Sequence, residues 1–540
     1  MFSALLLELA PMSCFERAQR RHLLTLLLAL CVFPAGAFAQ APPADLDAWV
    51  TRAMTTFDVP GIAVAIVKDG TVVHAKGYGV RRLGDPAPVD DRTLFGIASN
   101  TKAFTAAAIG MLVDEGKVAW DDPVGKHLPG FSMADPYASR EITVRDTLSH
   151  RSGLGLGAGD LLFWPDTDVS RDQVVAAARS IPPASSFRSR YAYNNLMFVV
   201  AGQVIASATG KSWDDVIRER IFVPLGMNDS RISNVGLTPA DNVASPHSRG
   251  WRLEGRLKPI QATRDDTWAA AAGIKSNLQD MTRWMRVQLA RGRIDETRQL
   301  FSPRVSDDMW QVTTPLRVSD PPGPLAATKA NFAGYGLGWN LRDYRGRKIV
   351  SHTGGLTGMV TLVMLVPSEG LGIVVLTNQE EGGAFSAIGY HILDAYLGAP
   401  TTDWIAAYRQ VRDDQLKKAR DEEQKQAAAR NRASRPSLSL DGYAGNYADA
   451  WYGGASLATE SGRLVLRLSR TPAAVADLEH WQYDTFKAVF RDDTIPDALV
   501  TFALDETGKV DTMKLVPTSD LADFSFDYQD LLFGPVRPRK

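Results

Sequence analysis

The chain has 540 residues, 45% of them hydrophobic, and its 60 Lys and Arg residues nearly balance its 61 Asp and Glu residues, for a formal net charge of −1. This apolar content is enough for a large buried core, and the length suggests more than one domain. The balanced charge excludes the strongly basic surface typical of nucleic-acid binding, so we expect no nucleic-acid partner.

The N-terminus has the pattern of a secretory signal peptide. A basic region around Arg20 precedes an apolar run at 23–33, and the small residues of an Ala-Phe-Ala sequence end at Ala39. This order predicts a signal peptide at 1–39 and a protein that is periplasmic or secreted. A retained membrane anchor is the alternative, but the run is shorter than the roughly 20 residues of a membrane span. We expect no stable membrane span after cleavage.

Both cysteines, Cys14 and Cys31, lie in this leader. A chain without the leader has no thiol, which excludes a catalytic cysteine, a zinc–thiolate site and disulfide bonds. We therefore expect the exported protein to be held together by its hydrophobic core.

The residues after the leader predict a helix and then a β-hairpin. The segment DLDAWVTRAMTTF at 45–57 has the apolar spacing of an amphipathic helix. The β-branched runs GIAVAIV and TVVHAKGYGV then flank an Asp-Gly pair, which is a tight-turn signal. From 94 to about 300, helical segments alternate with loops that contain Gly and Pro.

Three more β-branched runs follow at 347–379, namely RKIVSHTGG, GMVTLVMLVP and LGIVVLTNQ. Short turns separate them, so they predict three antiparallel strands, and a helix follows near AFSAIGYHILDAYLG. Together with the first hairpin they place strands at both ends of a helical block. This order predicts one sheet built from both ends, a helical lobe inserted between them, and a cleft where a ligand would bind.

The composition changes after residue 400. Residues 401–435 are rich in charge and alanine and predict a solvated helical linker. Residues 436–540 contain short strand-like runs separated by turns, such as GRLVLRLS and TFKAVFRD, and predict a small antiparallel barrel or sandwich. We expect this C-terminal domain to be an accessory that is not part of an active site.

Ser99 and Lys102 stand at the beginning of a predicted helix, in LFGIASNTKAFTAAAIG. Residues i and i+3 lie on one helix face with Cβ atoms about 5–6 Å apart. A serine hydroxyl needs a base to become a nucleophile, and a lysine in an apolar cleft has a lowered pKa and can be that base. The S-x-x-K pattern is short and also arises by chance, so it needs further support.

Tyr193 and Asn195 precede a second apolar helix, in SRYAYNNLMFVVAGQV. Tyr193 is either an aromatic at the edge of the core or a second proton carrier. Asn195 is either a helix N-cap or an amide that orients Lys102 and a substrate carbonyl.

The third candidate segment lies on a predicted strand and consists of His352, Thr353, Gly354 and Gly355. Glycines at a sheet edge let a substrate backbone approach as an extra strand would. A lone histidine is more often structural, and we interpret the other histidines, including His150, in that way.

These motifs resemble those of the serine β-lactamase and penicillin-binding superfamily, in its branch of class C β-lactamases, DD-carboxypeptidases, D-aminopeptidases and esterases. They occur in the family's order: Ser99-x-x-Lys102, Tyr193-x-Asn195 and His352-Thr353-Gly354. The sequence around these motifs, such as TLSHRSGL and VPSEGLGIVVLTN, is similar to that of the family as well. The region after Pro436 resembles the small, lipocalin-like β-barrel that is often appended to these hydrolases.

The resemblance extends over 43–398 and implies a β-lactamase-like serine hydrolase domain at 40–400. It implies a β-lactamase/transpeptidase-like α/β (α+β) fold, with an antiparallel five-stranded sheet, flanking helices and an all-helical lobe. The small antiparallel β-barrel domain would follow it.

The resemblance also implies catalytic roles. Ser99 would attack a carbonyl and become acylated, while Lys102 and Tyr193 would pass its proton to the leaving group and later activate water. The backbone N–H groups of Ser99 and Gly355 would form the oxyanion hole. The implied substrate-binding residues are Asn195, His352, Thr353, Gly354 and Gly355, with Asn195 on the substrate amide and His352 and Thr353 on a carboxylate.

One departure from the family bears on the substrate. Many β-lactamases of this branch have Lys where this chain has His352, and a histidine is mostly neutral near pH 7, so a carboxylate anchor is less assured. We predict first a peptidase for D-amino-acid or peptidoglycan-type substrates, then a carboxylesterase, then a class C-type β-lactamase. A non-catalytic penicillin-binding-like receptor is the alternative outside the enzymes. The chemistry needs no metal or cofactor, and the expected partner is a small-molecule or peptide substrate such as a cell-wall peptide.

Overall fold

The computed structural model describes residues 40–238, 240–251 and 255–537, so the predicted signal peptide at 1–39 lies outside the described residues. Within the described ranges, none of the helices combines the length and the hydrophobicity needed to cross a membrane.

An eight-stranded antiparallel sheet forms the centre of the N-terminal domain. The five predicted strands are adjacent in it, and three short strands extend one edge, in the order β2-β1-β8-β7-β6-β5-β4-β3. The strands are β1 (Gly61–Lys68), β2 (Thr71–Gly79), β3 (Thr314–Pro315), β4 (Ala333–Tyr335), β5 (Asn340–Tyr344), β6 (Arg347–Leu356), β7 (Met359–Val366) and β8 (Leu371–Thr377). Two further strand pairs join Phe95–Gly96 to Lys275–Ser276 and His247–Ser248 to Lys258–Pro259.

Helices cover both faces of this sheet and form the inserted lobe. The longer ones are α1 (Leu46–Phe57), α2 (Thr101–Asp114), α3 (Arg171–Ala177), α4 (Leu196–Thr209), α5 (Leu278–Leu289), α6 (Pro303–Met309), α7 (Gly382–Tyr396) and α8 (Trp404–Ala429). Short helices lie at Val124–His127, Pro136–Glu141, Val144–Thr147, Trp213–Ile217, Val223–Leu225, Ala269–Ala272 and Leu440–Tyr443.

Alternate residues of β1 face opposite sides of the sheet. Ile62 and Val64 belong to the core beneath α1, α7 and the start of α8. Ala63 and Ala65 belong to the core that continues into α2 and α4 of the helical lobe. The strand is therefore buried on both faces, which explains its uninterrupted apolar sequence.

The C-terminal domain is an eight-stranded, nearly closed antiparallel barrel in the order β15-β14-β13-β12-β11-β10-β9-β16. Met513 and Phe533 exchange backbone hydrogen bonds of 2.9 and 3.1 Å and bring its two edges together. The strands are β9 (Gly445–Asp449), β10 (Gly453–Glu460), β11 (Arg463–Leu468), β12 (Val475–Gln482), β13 (Thr485–Phe490), β14 (Ala498–Leu504), β15 (Val510–Pro517) and β16 (Gly534–Pro535).

The barrel and the N-terminal domain share one hydrophobic core. Phe526, in the loop between β15 and β16, makes edge-to-face contacts with Trp164 and Trp251 at ring-centroid distances of 6.4 and 6.0 Å. The two domains are thus joined by aromatic contacts at this core as well as by helix α8.

Candidate active site

Ser99 lies in a single 3-10 turn, Ala98–Asn100, that leads into α2. Ala98 has a φ of +49°, a left-handed conformation that a residue with a Cβ adopts only when its surroundings enforce it. The Asn100 side chain donates hydrogen bonds to Thr361 Oγ1 at 2.8 Å and to Ile97 O at 3.1 Å. These hydrogen bonds fix the turn against β7.

Lys102 is fully buried one turn further along α2. Its Nζ lies 2.9 Å from Ser99 Oγ, 2.7 Å from Asn195 Oδ1 and 3.1 Å from the carbonyl oxygen of Ala271. Burial lowers the pKa of Lys102 to about 7, although the charge of Asp160 raises it. An amine with this pKa exchanges its proton near neutral pH.

The centroid of the Tyr193 ring lies 4.8 Å from Lys102 Nζ. Burial raises the pKa of Tyr193 well above that of an ordinary phenol, and the Ser99 hydroxyl only partly opposes this. Tyr193 is therefore a neutral phenol near pH 7, able to relay a proton between neighbours.

Asn195 joins Lys102 to a buried carboxylate. Its Oδ1 accepts from Lys102, and its Nδ2 donates to Asp160 Oδ2 at 2.8 Å. Since Asn195 is only 3% exposed, these internal hydrogen bonds define its observed position. A contact with a substrate amide stays a prediction.

Asp160 is a site residue that the sequence interpretation missed. Burial raises its pKa to about 7, against the hydrogen bonds donated by Asn195 and Ser525. The available signal was a single carboxylate in GAGDLLFWP, between a Gly-containing loop and an apolar run. A carboxylate in such a run needs buried hydrogen-bond partners.

The segment 352–355 lies on β6 beside the Ser99 turn. Strand β5 pairs with β6 only as far as Ser351, whereas β7 pairs with it as far as Leu356. Within the described parts of the chain, no strand covers the second edge of 352–356. A strand edge without a neighbouring strand is a place where an extended peptide could pair.

Gly354 packs so closely against neighbouring atoms that a side chain does not fit at this position. A Cβ there would lie 2.3 Å from the carbonyl oxygen of Ile97 and 2.4 Å from Thr361 Oγ1. A Cβ on the next residue, Gly355, would meet nothing within 4 Å. Thr353 and Gly355 are both exposed, while Gly354 is buried.

His352 is buried and neutral. Its Nδ1 lies 2.6 Å from the carbonyl oxygen of Thr353 and must donate to it, so its Nε2 accepts from the Tyr335 hydroxyl at 3.0 Å. Burial, and then the charge of Lys102, lower the pKa of His352 to about 3. With both nitrogens engaged inside the protein, His352 offers no cation to a carboxylate, in contrast to the role that the resemblance implied.

His150 holds the segment that carries Tyr193 and Asn195. Its Nδ1 accepts from the backbone N–H of Asn194 at 3.0 Å, and its ring centroid lies 4.2 Å from that of Tyr193. Its carbonyl oxygen also accepts from the N–H of Ala192 at 2.9 Å. His150 is thus structural, as interpreted, but it acts on the second motif directly.

The C-terminal domain also reaches the site. Ser525 Oγ donates to Asp160 Oδ2 at 2.8 Å, and the Phe524 ring meets the Tyr193 ring edge-to-face at 5.7 Å. The domain therefore contacts the candidate active site directly, and the expectation that it stands apart from that site is wrong.

Two family models match this chain. The β-lactamase family matches residues 46–397, and a domain of unknown function, DUF3471, matches residues 429–535. An unguisins hydrolase of Aspergillus campestris is 31% identical over 428 residues, 76% of this chain and 75% of that protein. Penicillin-binding protein 4 of Amycolatopsis lactamdurans is 28% identical over 366 residues, 66% of this chain and 90% of that protein.

Solved structures share the fold. A penicillin-binding protein homologue from Pyrococcus abyssi aligns over 91% of this chain and 99% of that chain, with a TM-score of 0.56 and 22% identity. A D-stereospecific amidohydrolase from Streptomyces sp. aligns over 62% of this chain and 94% of that chain, with a TM-score of 0.50 and 25% identity. With the family match over most of its length, this chain belongs to the β-lactamase family, within the serine β-lactamase and penicillin-binding superfamily.

Proposed function

We propose that this protein is an exported serine hydrolase that cleaves amide bonds through a Ser99 acyl-enzyme, with D-amino-acid or peptidoglycan-type peptides as its substrates. The observation that carries the proposal is the 2.9 Å contact between the fully buried amine of Lys102 and the Ser99 hydroxyl. Export rests on the signal-peptide pattern at 1–39.

The partners of Lys102 suit both of its protonation states. A neutral amine has two N–H groups and one lone pair, whereas a protonated amine has three N–H groups. Asn195 Oδ1 and the carbonyl oxygen of Ala271 are acceptors that take two N–H groups in either state. In the neutral state the lone pair is left for the Ser99 proton. Lys102 can therefore take this proton without changing its other contacts.

In acylation, Ser99 Oγ forms a bond to the substrate carbonyl carbon while its proton passes to Lys102. The proposed oxyanion donors are the backbone N–H groups of Ser99 and Gly355, each worth about 3–4 kcal/mol in the transition state. The proton then passes through Tyr193 to the leaving nitrogen as the C–N bond breaks. A water activated by the same pair hydrolyses the resulting ester and restores Ser99.

Among the proposed substrates, the third motif favours amides that have no free carboxylate next to the scissile bond. A carboxylate next to the scissile bond, as in β-lactams and DD-carboxypeptidase substrates, would find no cation at the neutral, buried His352. An amide without a neighbouring carboxylate needs no such anchor. The uncovered edge of β6 suits an extended peptide, and one similar solved structure is named a D-stereospecific amidohydrolase.

The test compares three probes: D-alanyl p-nitroanilide, p-nitrophenyl butyrate and a fluorescent penicillin. We expect the anilide to be turned over, and Ser99→Ala to lose this turnover by about 10⁴-fold or more. The matched control is Ser207→Ala on α4, whose hydroxyl donates to the His127 carbonyl and which should keep full activity.

Each other outcome identifies a different function. Turnover of the ester alone indicates a carboxylesterase, and rapid hydrolysis of the penicillin indicates a β-lactamase. Undiminished turnover in Ser99→Ala would remove Ser99 as the nucleophile. If the wild-type protein neither labels with nor hydrolyses any probe, the result favours the receptor alternative and contradicts the proposal.

A further inference from the structure

The loop between β15 and β16 leaves the barrel and lies against the residues around Asp160. Ser525, in this loop, donates to Asp160 Oδ2 at 2.8 Å and is only 7% exposed. The same Oδ2 accepts from Asn195, while Asp160 Oδ1 is buried without a hydrogen-bond partner among the described residues. Ser525 therefore supplies one of two hydrogen bonds to a buried carboxylate.

Asp527 holds the backbone on both sides of Asp160. Its Oδ2 accepts the N–H of Gly159 at 2.7 Å, and its Oδ1 accepts the N–H of Leu161 at 3.2 Å. Gly159 has a φ of +88°, a left-handed backbone conformation that favours glycine. The two hydrogen bonds to Asp527 hold the turn in this conformation. The fully buried Asp527 thus fixes the direction in which the Asp160 side chain leaves the backbone.

One chain of short hydrogen bonds joins the barrel to the nucleophile. Ser525 contacts Asp160 at 2.8 Å, and Asp160 contacts Asn195 at 2.8 Å. Asn195 then contacts Lys102 at 2.7 Å, and Lys102 contacts Ser99 at 2.9 Å. A displacement of Asp160 would therefore be passed to the amine through a single amide group.

We propose that Ser525 and Asp527 of the C-terminal domain are positioning residues of the active site, which hold Asp160 and through it Asn195 and Lys102. The inference deepens the proposed function and rests on it, since it concerns the same Ser99 site. Its physical basis is that hydrogen bonds hold a buried carboxylate in place and favour its charged form, so the loss of one of them affects both. The barrel is then part of the catalytic unit.

Removal of the Ser525 hydroxyl has a predicted electrostatic signature. With one hydrogen bond fewer, Asp160 binds a proton more readily, and the charge that raises the pKa of Lys102 becomes weaker. The acid limb of the pH–rate profile then moves to lower pH. The other titratable groups that face Asp160 or Lys102 are Asp523, Asp527, Tyr193 and the two neutral histidines His150 and His352.

The test compares full-length Ser525→Ala, Ser525→Thr and Ser437→Ala. Ser437 is a matched control, because its hydroxyl donates to Asp484 Oδ2 at the same 2.8 Å but inside the C-terminal domain. We expect Ser525→Ala to lower kcat/KM about 10- to 100-fold, mainly through kcat, and to move the acid limb to lower pH. Ser525→Thr keeps a hydroxyl and should recover most of the activity, and Ser437→Ala should match the wild type.

Hydrogen–deuterium exchange gives a readout that needs no turnover. In Ser525→Ala, we expect faster exchange in peptides that cover 157–163, with no change there in Ser437→Ala. If the wild type is active and Ser525→Ala keeps kcat/KM within twofold and the same acid limb, the inference is overturned and the proposed function stays intact. Unchanged exchange at 157–163 would overturn it even if no probe is a substrate, whereas an inactive wild type contradicts the proposed function itself.

Discussion

The Lys102 amine and the Asp160 carboxylate belong to one buried hydrogen-bonded chain, joined by the side-chain amide of Asn195. Burial lowers the pKa of Lys102 and raises that of Asp160, each to about 7. A proton taken from Ser99 would reside on an amine whose pKa the charge of Asp160 raises. Such a base is strong enough to take the proton and weak enough to release it to a leaving group.

The first prediction concerns the pH dependence of acylation. Below the lowered pKa of Lys102, the amine is protonated and cannot accept the Ser99 proton, so the rate should fall about tenfold for each pH unit below about 7. Above that pH the rate should level off, because Tyr193 stays neutral well beyond the ordinary phenol range. The measurement is kcat/KM for the best probe across the acidic and alkaline range.

Two variants identify the titrating group in that profile. Ser99→Ala gives the background hydrolysis at each pH. Asp160→Asn removes the charge that raises the pKa of Lys102, so the acid limb should move to lower pH. Two results would contradict the assignment of Lys102 as the base. One is a wild-type acid limb in the pH range where an ordinary carboxylate titrates, and the other is a shift of the acid limb to higher pH in Asp160→Asn.

The second prediction separates charge from basicity at Lys102. Lys102→Arg keeps a positive charge, but a guanidinium with a pKa above about 12 cannot act as a base. We expect Lys102→Arg to lose roughly 10²- to 10⁴-fold in the acylation rate, which is the usual contribution of a general base. The burst of p-nitrophenol from p-nitrophenyl butyrate measures this step.

Lys102→Met is the companion variant, since it removes both the charge and the base within a similar volume. Both variants should be equally slow if basicity is what matters. A Lys102→Arg protein that keeps more than a tenth of the wild-type rate would mean that the amine acts only through its charge. Circular dichroism and thermal unfolding check that each variant is folded.

The third prediction uses two neighbouring glycines of β6. In Gly354→Ala the new methyl group would clash with Ile97 O and Thr361 Oγ1, so the free energy of unfolding should fall by about 1–3 kcal/mol. In Gly355→Ala the methyl group points into open space, and stability should change by less than about 0.5 kcal/mol. Gly355→Ala should instead raise KM, because that open space is the proposed place of the substrate.

Urea unfolding and steady-state kinetics together check this pair. The result that would contradict it is an equal loss of stability in both variants, which would mean that the two glycines serve the strand in the same way. An unchanged KM in Gly355→Ala would move the substrate away from the edge of β6.

Local patterns in the sequence were enough for the five main strands and for the Ser99–Lys102 pair. β-Branched runs and turn signals define the strands, and the i, i+3 spacing from the 3-10 turn into α2 accounts for the contact between the two side chains. The strands β3, β4 and β5 were missed because they have only two to five residues and lie in or next to glycine-rich sequence that resembles a loop, such as GYGLGWN. Runs this short carry no readable alternation.

Contacts between distant segments could not be predicted in this way. Ser525 and Asp160 lie 365 positions apart, and their hydrogen bond depends on how one barrel loop docks on the other domain. The neutral state of His352 likewise depends on Tyr335 and on burial, which no local pattern specifies. The motifs therefore predicted residues that the structure brings together, such as Ser99, Lys102 and Asn195, whereas the contribution of Asp160 and the protonation states depend on the tertiary structure.

The last prediction concerns His150, whose Nδ1 accepts the backbone N–H of Asn194 beside the second motif. His150→Phe keeps a ring but leaves this buried N–H unpaired, which should cost about 1–3 kcal/mol of unfolding free energy and lower kcat as Tyr193 shifts. His150→Asn keeps an acceptor and tolerates the left-handed φ of +56° at this position, so it should retain more activity. His480→Phe in the barrel is the control for a histidine that accepts no such bond. If His150→Asn is as impaired as His150→Phe, ring packing rather than the hydrogen bond holds the Tyr193 segment, and a fully active His150→Phe would show that neither does.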